Sequence, residues 1–404
     1  MKTCKSLSTK DSKLTILFHR LPLLVQVQAI QTMGPKDWIN LAMTSKRNER
    51  VVKMARLKTG YFWVELCHNA CIQLSSFKLT LFYDKHYVRT KKTWGMMTSE
   101  DMKLWLNEPS NSMIENAGIL YQKMQNIFVI PKDLNISFCT DIKNKKRAAT
   151  IQELLSNPVM KNWNRLFIYG KKIDSEDLKM IMDTATSKRT FESRVEEMPL
   201  DFKHDNAFKF YYQTYNDARW VQIEDLYGLK KLRHVLLRQN LFTHEQLKSF
   251  VNYWVNSDID MFWTIQIRRI ERLDFDNFVD GLIGIQSSDP NYRLFFTLSK
   301  SPLKKRTKTM LSIRYDVREK IVILRAWDVN EIYTSRRIAR ENRNFENVGI
   351  ILTLLYKKKE LEDLRESAGE EAKLEFNEKI NESIAELSEF NVTFIHGKIT
   401  HDLF

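Results

Sequence analysis

Glycine and histidine are scarce in this chain, and their scarcity removes whole classes of chemistry. Only 11 glycines serve 404 residues, and none lies in a phosphate-cradling loop: Gly170-Lys171 would need a glycine where Arg165 stands. There is no Gly-x-Ser-x-Gly turn to present a nucleophilic serine. The 8 histidines are isolated, and His244-Glu245 is followed one turn later by Lys248 rather than the second histidine of a zinc-protease helix. Four cysteines, Cys4, Cys67, Cys71 and Cys139, are too few and too scattered for a disulfide framework. Cys67-His68 with Cys71 lacks the second ligand pair that zinc requires. No run approaches the roughly 18 apolar residues of a membrane span, and the opening MKTCKSLSTKDSK has no apolar signal core. These absences predict an intracellular chain, cytoplasmic and/or nuclear, that is not an enzyme and carries no catalytic residue, metal or cofactor.

Acidic residues are also in deficit, 50 against 64 Lys and Arg, for a net charge of +14. Basic clusters occur at Arg89/Lys91/Lys92, Lys143/Lys145/Lys146/Arg147, Lys304/Lys305/Arg306/Lys308 and Arg336/Arg337/Arg340/Arg343. Each is a candidate for phosphate, a nuclear import receptor or an acidic partner. None joins a nucleic-acid module, however, and charge alone supplies only non-specific affinity. Solvated faces are the preferred reading. A basic nucleic-acid-binding or nuclear protein–protein interaction protein stays as the alternative.

What is present begins at Leu21. Leu21-Pro22 starts a helix, because proline fits a first turn in which its missing N–H has no bond to make. Leu23, Leu24, Val27, Ile30 and Met33 then recur at helical spacing. Gly34-Pro35 stops that helix and starts a second, carrying Trp38, Ile39, Leu41 and Ala42. Thr44 and Ser45 are N-cap candidates for a third helix, Lys46 to about Leu57. So short a segment cannot bury a core alone, and its apolar surplus implies docking.

The order Leu21-Pro22, apolar helix, Met33-Gly34-Pro35-Lys36-Asp37, apolar helix, Ser45-Lys46-Arg47 resembles the F-box, the segment that binds the Skp adaptor of cullin–RING ubiquitin ligases. It looks most like the large nematode-type F-box family, whose members add an F-box-associated domain of the second type. Gln26, Gln28, Ala29 and Gln31 thin the apolar face of the first helix, and Asn48 stands where many other F-boxes carry Trp. The resemblance implies adaptor contacts through Leu21, Pro22, Leu24, Val27, Ile30, Met33, Pro35 and Leu41, with a cullin reached through the adaptor.

Beyond the box, residues 61–87 mix aromatic and β-branched residues as short strands do. Glu108-Pro109-Ser110-Asn111-Ser112 is a break, and Ile151 to Met160 reads as a short helix. A weak repeat follows: Leu166-x-Ile168 with Ile173-Asp174 and Leu178 aligns with Val235-x-Leu237, Phe242-Thr243 and Leu247, an offset of 69 residues (235 minus 166). Each copy is a strand, a capping residue and a helix, with Asp174 and Thr243 as N-caps and Asp177 and Gln246 as their capping-box partners. Further units are legible around Phe208 to Leu226 and from Ile265 to Leu282, a spacing typical of leucine-rich-repeat-like solenoids. This region, with Leu166 to Ile173, Arg219-Trp220-Val221, Trp254-Val255-Asn256 and a closing hairpin over Met310 to Trp327, resembles the F-box-associated domain of the second type.

Lys357 to Phe390 carries six Lys/Arg against eleven Asp/Glu and has helical apolar spacing from Leu361 to Leu387, predicting an amphipathic helix or helix pair. The expected architecture is α/β (α+β): a flexible N-terminus over 1–15, a three-helix F-box over 16–57, a connecting α+β region over 58–160, an irregular leucine-rich-repeat-like α/β body over 161–330 and a C-terminal helical extension over 331–404. The expected function is that of a substrate receptor for a ubiquitin ligase, with an unknown protein substrate and no membrane or nucleic-acid partner. Side chains alternate across a strand, so Phe167, Tyr169, Leu236, Arg238, Gln266 and Arg268 should share one face of the stacked sheet and meet the substrate there. The competing outcome is that helices or the acidic C-terminal segment cover this face.

Overall fold

The computed structural model describes residues 18–67, 70–74, 77–81, 97–98, 101–106, 112–130, 133–141, 144–270, 273–287, 293–300, 306–328, 347–395 and 398–401, with backbone alone at 77–81, 144–146 and 395. The expected flexible N-terminus, the clusters at 89–92 and 336–343, and most of the 108–112 break lie outside these residues. The chain divides into two compact units, Met1–Leu134 with Asn157–Asn162, and Asn135–Ser156 with Trp163–Phe404. The stretch 58–160, expected to be one connecting region, is shared between them. No described helix is long and apolar enough to cross a membrane.

The first unit opens with α1 (Leu23–Thr32), α2 (Pro35–Thr44) and α3 (Lys46–Met54). Pro35 occupies the first turn of α2, where its fixed φ suits the helix. Ser45 caps α3 by accepting from the Asn48 backbone N–H at 3.1 Å, while the Thr44 hydroxyl accepts from the Asn48 side chain at 2.6 Å. The third helix stops at Met54, short of Leu57, because Arg56 turns the backbone to a φ of 48°. Ile30, Ile39, Val51 and Val52 form the buried seam. The Trp38 indole donates to the Ile30 carbonyl at 2.7 Å, tying α2 to the end of α1. Strands β1 (Phe62–Leu66), β2 (Ala70–Leu74) and β3 (Phe77–Leu81) form an antiparallel meander. Helix α4 (Met113–Ile127), capped by Ser112, sets Tyr121 against Phe62 with ring centroids 4.7 Å apart.

The second unit is a succession of strand–helix units. Strands β4 (Asn135–Cys139), β5 (Arg165–Lys172), β6 (Thr190–Glu197), β7 (Tyr212–Asp217), β8 (Leu232–Gln239) and β9 (Phe262–Arg268) lie side by side in chain order, all parallel. Helices α5 (Asn144–Ser156), α6 (Ser175–Asp183), α7 (Ile223–Tyr227) and α8 (His244–Asn256) make four of the crossovers, and α9 (Phe275–Val279) follows β9. The register stacks Ile136, Leu166, Phe191, Gln213, Val235 and Ile265 into one buried row. The row holding Ile168, Tyr215 and Leu237 faces the helices, since the Tyr215 hydroxyl reaches Met182 of α6. Every repeat strand named in the sequence is present. Three were missed: β4; β6, whose Glu192 and Ser193 hide its apolar period; and β7, which begins after the Phe208 and Phe210 from which its unit was read.

From β9 the sheet continues antiparallel through β13 (Ile321–Trp327), β12 (Met310–Asp316), β11 (Arg293–Leu298) and β10 (Gly284–Ser287); β10 then pairs in parallel with β15 (Lys398–His401), which pairs antiparallel with β14 (Val392–Ile395). The predicted hairpin is β12–β13; β10 and β11 were not foreseen. The C-terminal segment is a pair, α10 (Val348–Ser367) and α11 (Glu370–Glu389), and α10 begins nine residues before the expected start at Lys357. Its buried residues, Val348, Ile351, Leu352 and Leu355, belong to a continuous apolar run, whose periodicity does not separate helix from strand.

Two local expectations are corrected. Thr243 and Gln246 form the predicted capping box, with bonds of 2.9 and 3.2 Å. Asp174 and Asp177 have the same spacing but make no cap, because both carboxylates are taken by Arg147 of α5, Asp177 at 2.5 Å. The basic clusters are corrected where they are described. Arg147, Arg306 and Lys308 are buried rather than solvated. Arg306 lies 4.0 Å over the Trp254 ring and donates to the carbonyls of Trp254 and Ser257, and burial pushes its guanidinium down to about 10.

Candidate functional site

Two surfaces carry the residues singled out in the sequence. The first is the start of α1. Leu23, Leu24 and Val25 are 49%, 68% and 40% exposed, a consecutive apolar run facing water. Helical geometry explains the arrangement: the buried face of α1 is set by Gln26 and Ile30, one turn apart, which leaves the first turn turned away from α2 and α3. Gln26 sits inward because its side-chain amide donates to the Leu21 carbonyl at 2.7 Å, so an amide closes the turn where a hydrophobe would anchor it. Of the expected adaptor contacts, Pro22 and Leu24 are exposed, and Leu21, Val27, Met33, Pro35 and Leu41 are half-buried. Ile30 is fully buried, so its side chain holds the three helices together and is not available to a partner.

The second surface is the sheet face opposite the crossover helices. Strand pairing places Phe167, Glu192, Thr214, Leu236 and Gln266 in one row and sets Tyr169 beside Arg194 in the next. Arg238 and Arg268 occupy the positions just after the paired Leu237 and Ile267, extending that second row. The six residues expected to share a face do share it. Phe167 and Tyr169 stack at 5.6 Å, and the Arg194 guanidinium lies 4.7 Å over the Phe167 ring. Leu236 is an exception to the expected exposure: flanked by Thr214 and Gln266, it is buried and contributes packing rather than contact.

Residues that sequence reasoning missed complete this face. Glu192 is buried and engaged by Arg165, with Arg194 at 3.8 Å. Tyr212 and His234 stack nearly parallel at 4.3 Å. Burial, with the Arg325 charge adding to it, pushes the His234 imidazole down to about 4. Burial also lowers Arg238 below the usual guanidinium range, reinforced by the like charges of Arg268 and Arg194. The available signal was the alternation in Thr190–Glu197, which puts Glu192 and Arg194 on one side.

The C-terminal pair covers part of the same face. Val348, Ile351, Leu352 and Leu355 of α10 and Leu387 of α11 pack on Ile285, Leu294, Phe296 and Met310. Through β12 and β13, Phe296 shares its register row with Thr264 and His234. Among the described residues this coverage reaches from β14 and β15 across β10–β12 to Trp327 of β13, and the stretch over β5–β9 carries the arginines and aromatics.

Catalytic arrangements were sought as well. Among the described residues no three His, Cys, Asp or Glu side chains converge as a metal site. A cleft of about 480 Å³ beside α9 and β15 holds Asp276, Asp280 and Lys398, but Asp276 pairs with Lys398 at 2.7 Å and Asp280 faces Lys248 at 4.0 Å. The Gly170-Lys171 peptide is structural: Gly170 has a φ of 134°, the Lys171 N–H donates to Asp141 at 2.8 Å, and a side chain at Gly170 would strike Thr140. Comparison of the chain with protein-family models, with curated proteins and with solved structures finds no match in any of the three.

Proposed function

We propose that this chain is a substrate receptor of an Skp–cullin–F-box ubiquitin ligase: α1–α3 dock the Skp adaptor, and a leucine-rich-repeat-like body holds a protein substrate. The observation that carries the reading is the apolar first turn of α1, left in water one helix before the Met33-Gly34-Pro35 junction. An exposed contiguous apolar patch on a short helix is costly unless a partner covers it. Exposed Pro22, Leu23 and Leu24, with half-buried Leu21, Val27, Met33, Pro35 and Leu41, supply the apolar side chains that such a contact would use. The succession of parallel strands, each backed by a helix or loop, supports the second half of the reading. It offers one continuous sheet face for a substrate, as stacked-repeat proteins do.

Function on this reading is positional. The receptor performs no bond chemistry; it raises the effective concentration of a substrate lysine near a ubiquitin-loaded enzyme, an effect worth many orders of magnitude. The test is titration of purified chain with recombinant Skp adaptor. Burying a Leu-sized side chain contributes about 1.5–3 kcal/mol, so Leu23→Ala with Leu24→Ala should weaken the complex on the order of a hundredfold. Unchanged affinity in a folded double variant overturns the assignment.

A further inference from the structure

Three arginines crowd the sheet face over β6, β8 and β9: Arg194, which stands 3.8 Å from Glu192, and Arg238 and Arg268, for which no ion pair is found among the described residues. Arg238 and Arg268 neighbour one another across β8 and β9, and Arg194 approaches from β6 closely enough for its charge to act on Arg238. The Nε atoms of Arg238 and Arg268 are buried with no hydrogen-bond partner among the described residues. The nearest carboxylate, Glu192, is buried and already engaged by Arg165. Like charges held together in a half-dry site repel, and an unpartnered buried donor loses the hydrogen bonds that water gave it. An anion bound at the guanidinium ends relieves the repulsion.

We infer that the partner of this face is an extended anionic peptide, whose carboxylate or phosphate groups are held by Arg194, Arg238 and Arg268. This rests on the receptor reading given above and names the chemistry of the substrate. The geometry fits an extended chain. Neighbouring strands lie about 4.8 Å apart, and alternate side chains of an extended peptide recur every ~6.6 Å. Arg194 on β6 and Arg238 and Arg268 on β8 and β9 share one row across the sheet, so a peptide crossing the strands meets them in turn. Planar guanidinium groups match carboxylate and phosphate oxygens in pairs, which lysines at these positions would not do. Charge complementarity is what singles out this occupant, since a neutral or basic segment would leave the arginines as they stand.

The experiment uses the full chain and an array of short random-sequence peptides containing Asp, Glu and phosphoserine as well as neutral and basic residues. The inference expects bound peptides to be enriched in anionic residues. Joint replacement Arg238→Gln and Arg268→Gln should weaken those peptides about tenfold or more, as loss of charge-assisted hydrogen bonds does. Thermal unfolding and circular dichroism of the variant should match the parent, and Arg238→Lys should recover part of the binding. Enrichment of phosphoserine alone assigns the anion to a modification, and equal enrichment of Asp and Glu assigns it to an acidic segment. No anionic preference overturns the inference, as does tighter binding of a short single-stranded RNA than of any peptide. Adaptor titration on the same preparations separates the two claims: adaptor bound without anionic selectivity removes this inference alone, and anionic selectivity without adaptor binding removes the receptor reading alone.

Discussion

The first turn of α1 and the sheet face over β5–β9 are both open, and they are open in opposite ways. Leu23, Leu24 and Val25 expose apolar atoms with no polar group among their side chains. The sheet face exposes guanidinium groups and aromatic rings that already support one another, as Arg194 does over Phe167. An apolar helix end gains from permanent cover, whereas arginines and aromatics are stable in water and can exchange partners. On the proposed reading, the difference suits a constitutive partner at the helices and an exchangeable one at the sheet. It also separates side chains of one type: Arg147 and Arg238 are both arginines, but only the first is closed into the fold.

That contrast predicts the largest effect. Arg147→Gln leaves Asp177, which is buried, without its cation, and breaking a buried pair from one side costs about 3–5 kcal/mol. Arg238→Gln removes a half-solvated charge repelled by its neighbours and should leave stability within about 0.5 kcal/mol. Denaturant midpoints of the two variants decide it; equal losses would mean that the sheet face is structural. Next is the pair Leu24 and Ile30, six residues apart on α1 (30 minus 24) but opposite in environment. Ile30→Ala empties a fully buried site and should cost roughly 2–5 kcal/mol, against less than about 0.5 kcal/mol for Leu24→Ala. A large stability loss for Leu24→Ala would show that α1 is covered from within.

How far the sequence foretold these regions depends on what each residue's partners were. Thr243 and Gln246 find one another because both belong to one helix turn, so their spacing was sufficient. Asp174 and Asp177 share that spacing, but Arg147 lies 27 and 30 residues earlier in the chain and captures both. The apolar rows of β5, β8 and β9 were visible because their alternation is uninterrupted. Gln213 occupies the same buried row in β7, and Glu192 and Ser193 interrupt β6, so those strands lacked the signal. Membership of the sheet face followed from alternation alone, but the burial of Leu236 depends on Thr214 and Gln266 beside it. For α1 the helix was legible and its orientation was not: the inward turn of Gln26 and Ile30 is a tertiary fact.

Two smaller effects sharpen the account of the sheet. His234 is held far below its ordinary value of 6.5, at about 4, so the folded chain refuses a proton that the unfolded chain accepts. Its contribution to stability is therefore complete above pH 6.5, declines as pH falls toward about 4, and loses nothing more below that. His234→Gln should flatten the stability profile between those limits; an unchanged slope would mean that the stack with Tyr212 does not exclude the charge. Gln213 is buried with neither side-chain amide atom partnered among the described residues. Gln213→Leu should raise the unfolding midpoint by the equivalent of about 1–3 kcal/mol, the desolvation cost of such a group. A fall would show that the amide has a partner.

The central claim is that the two surfaces serve two partners, and adaptor affinity measured across two variants tests it most directly. Leu24→Asp places a charge in the proposed contact at a position 68% exposed in the free chain, so folding should be untouched and adaptor binding lost. The Arg238→Gln and Arg268→Gln double variant should bind the adaptor as tightly as the parent. Retained adaptor affinity in Leu24→Asp, or its loss in the arginine variant, would contradict the assignment.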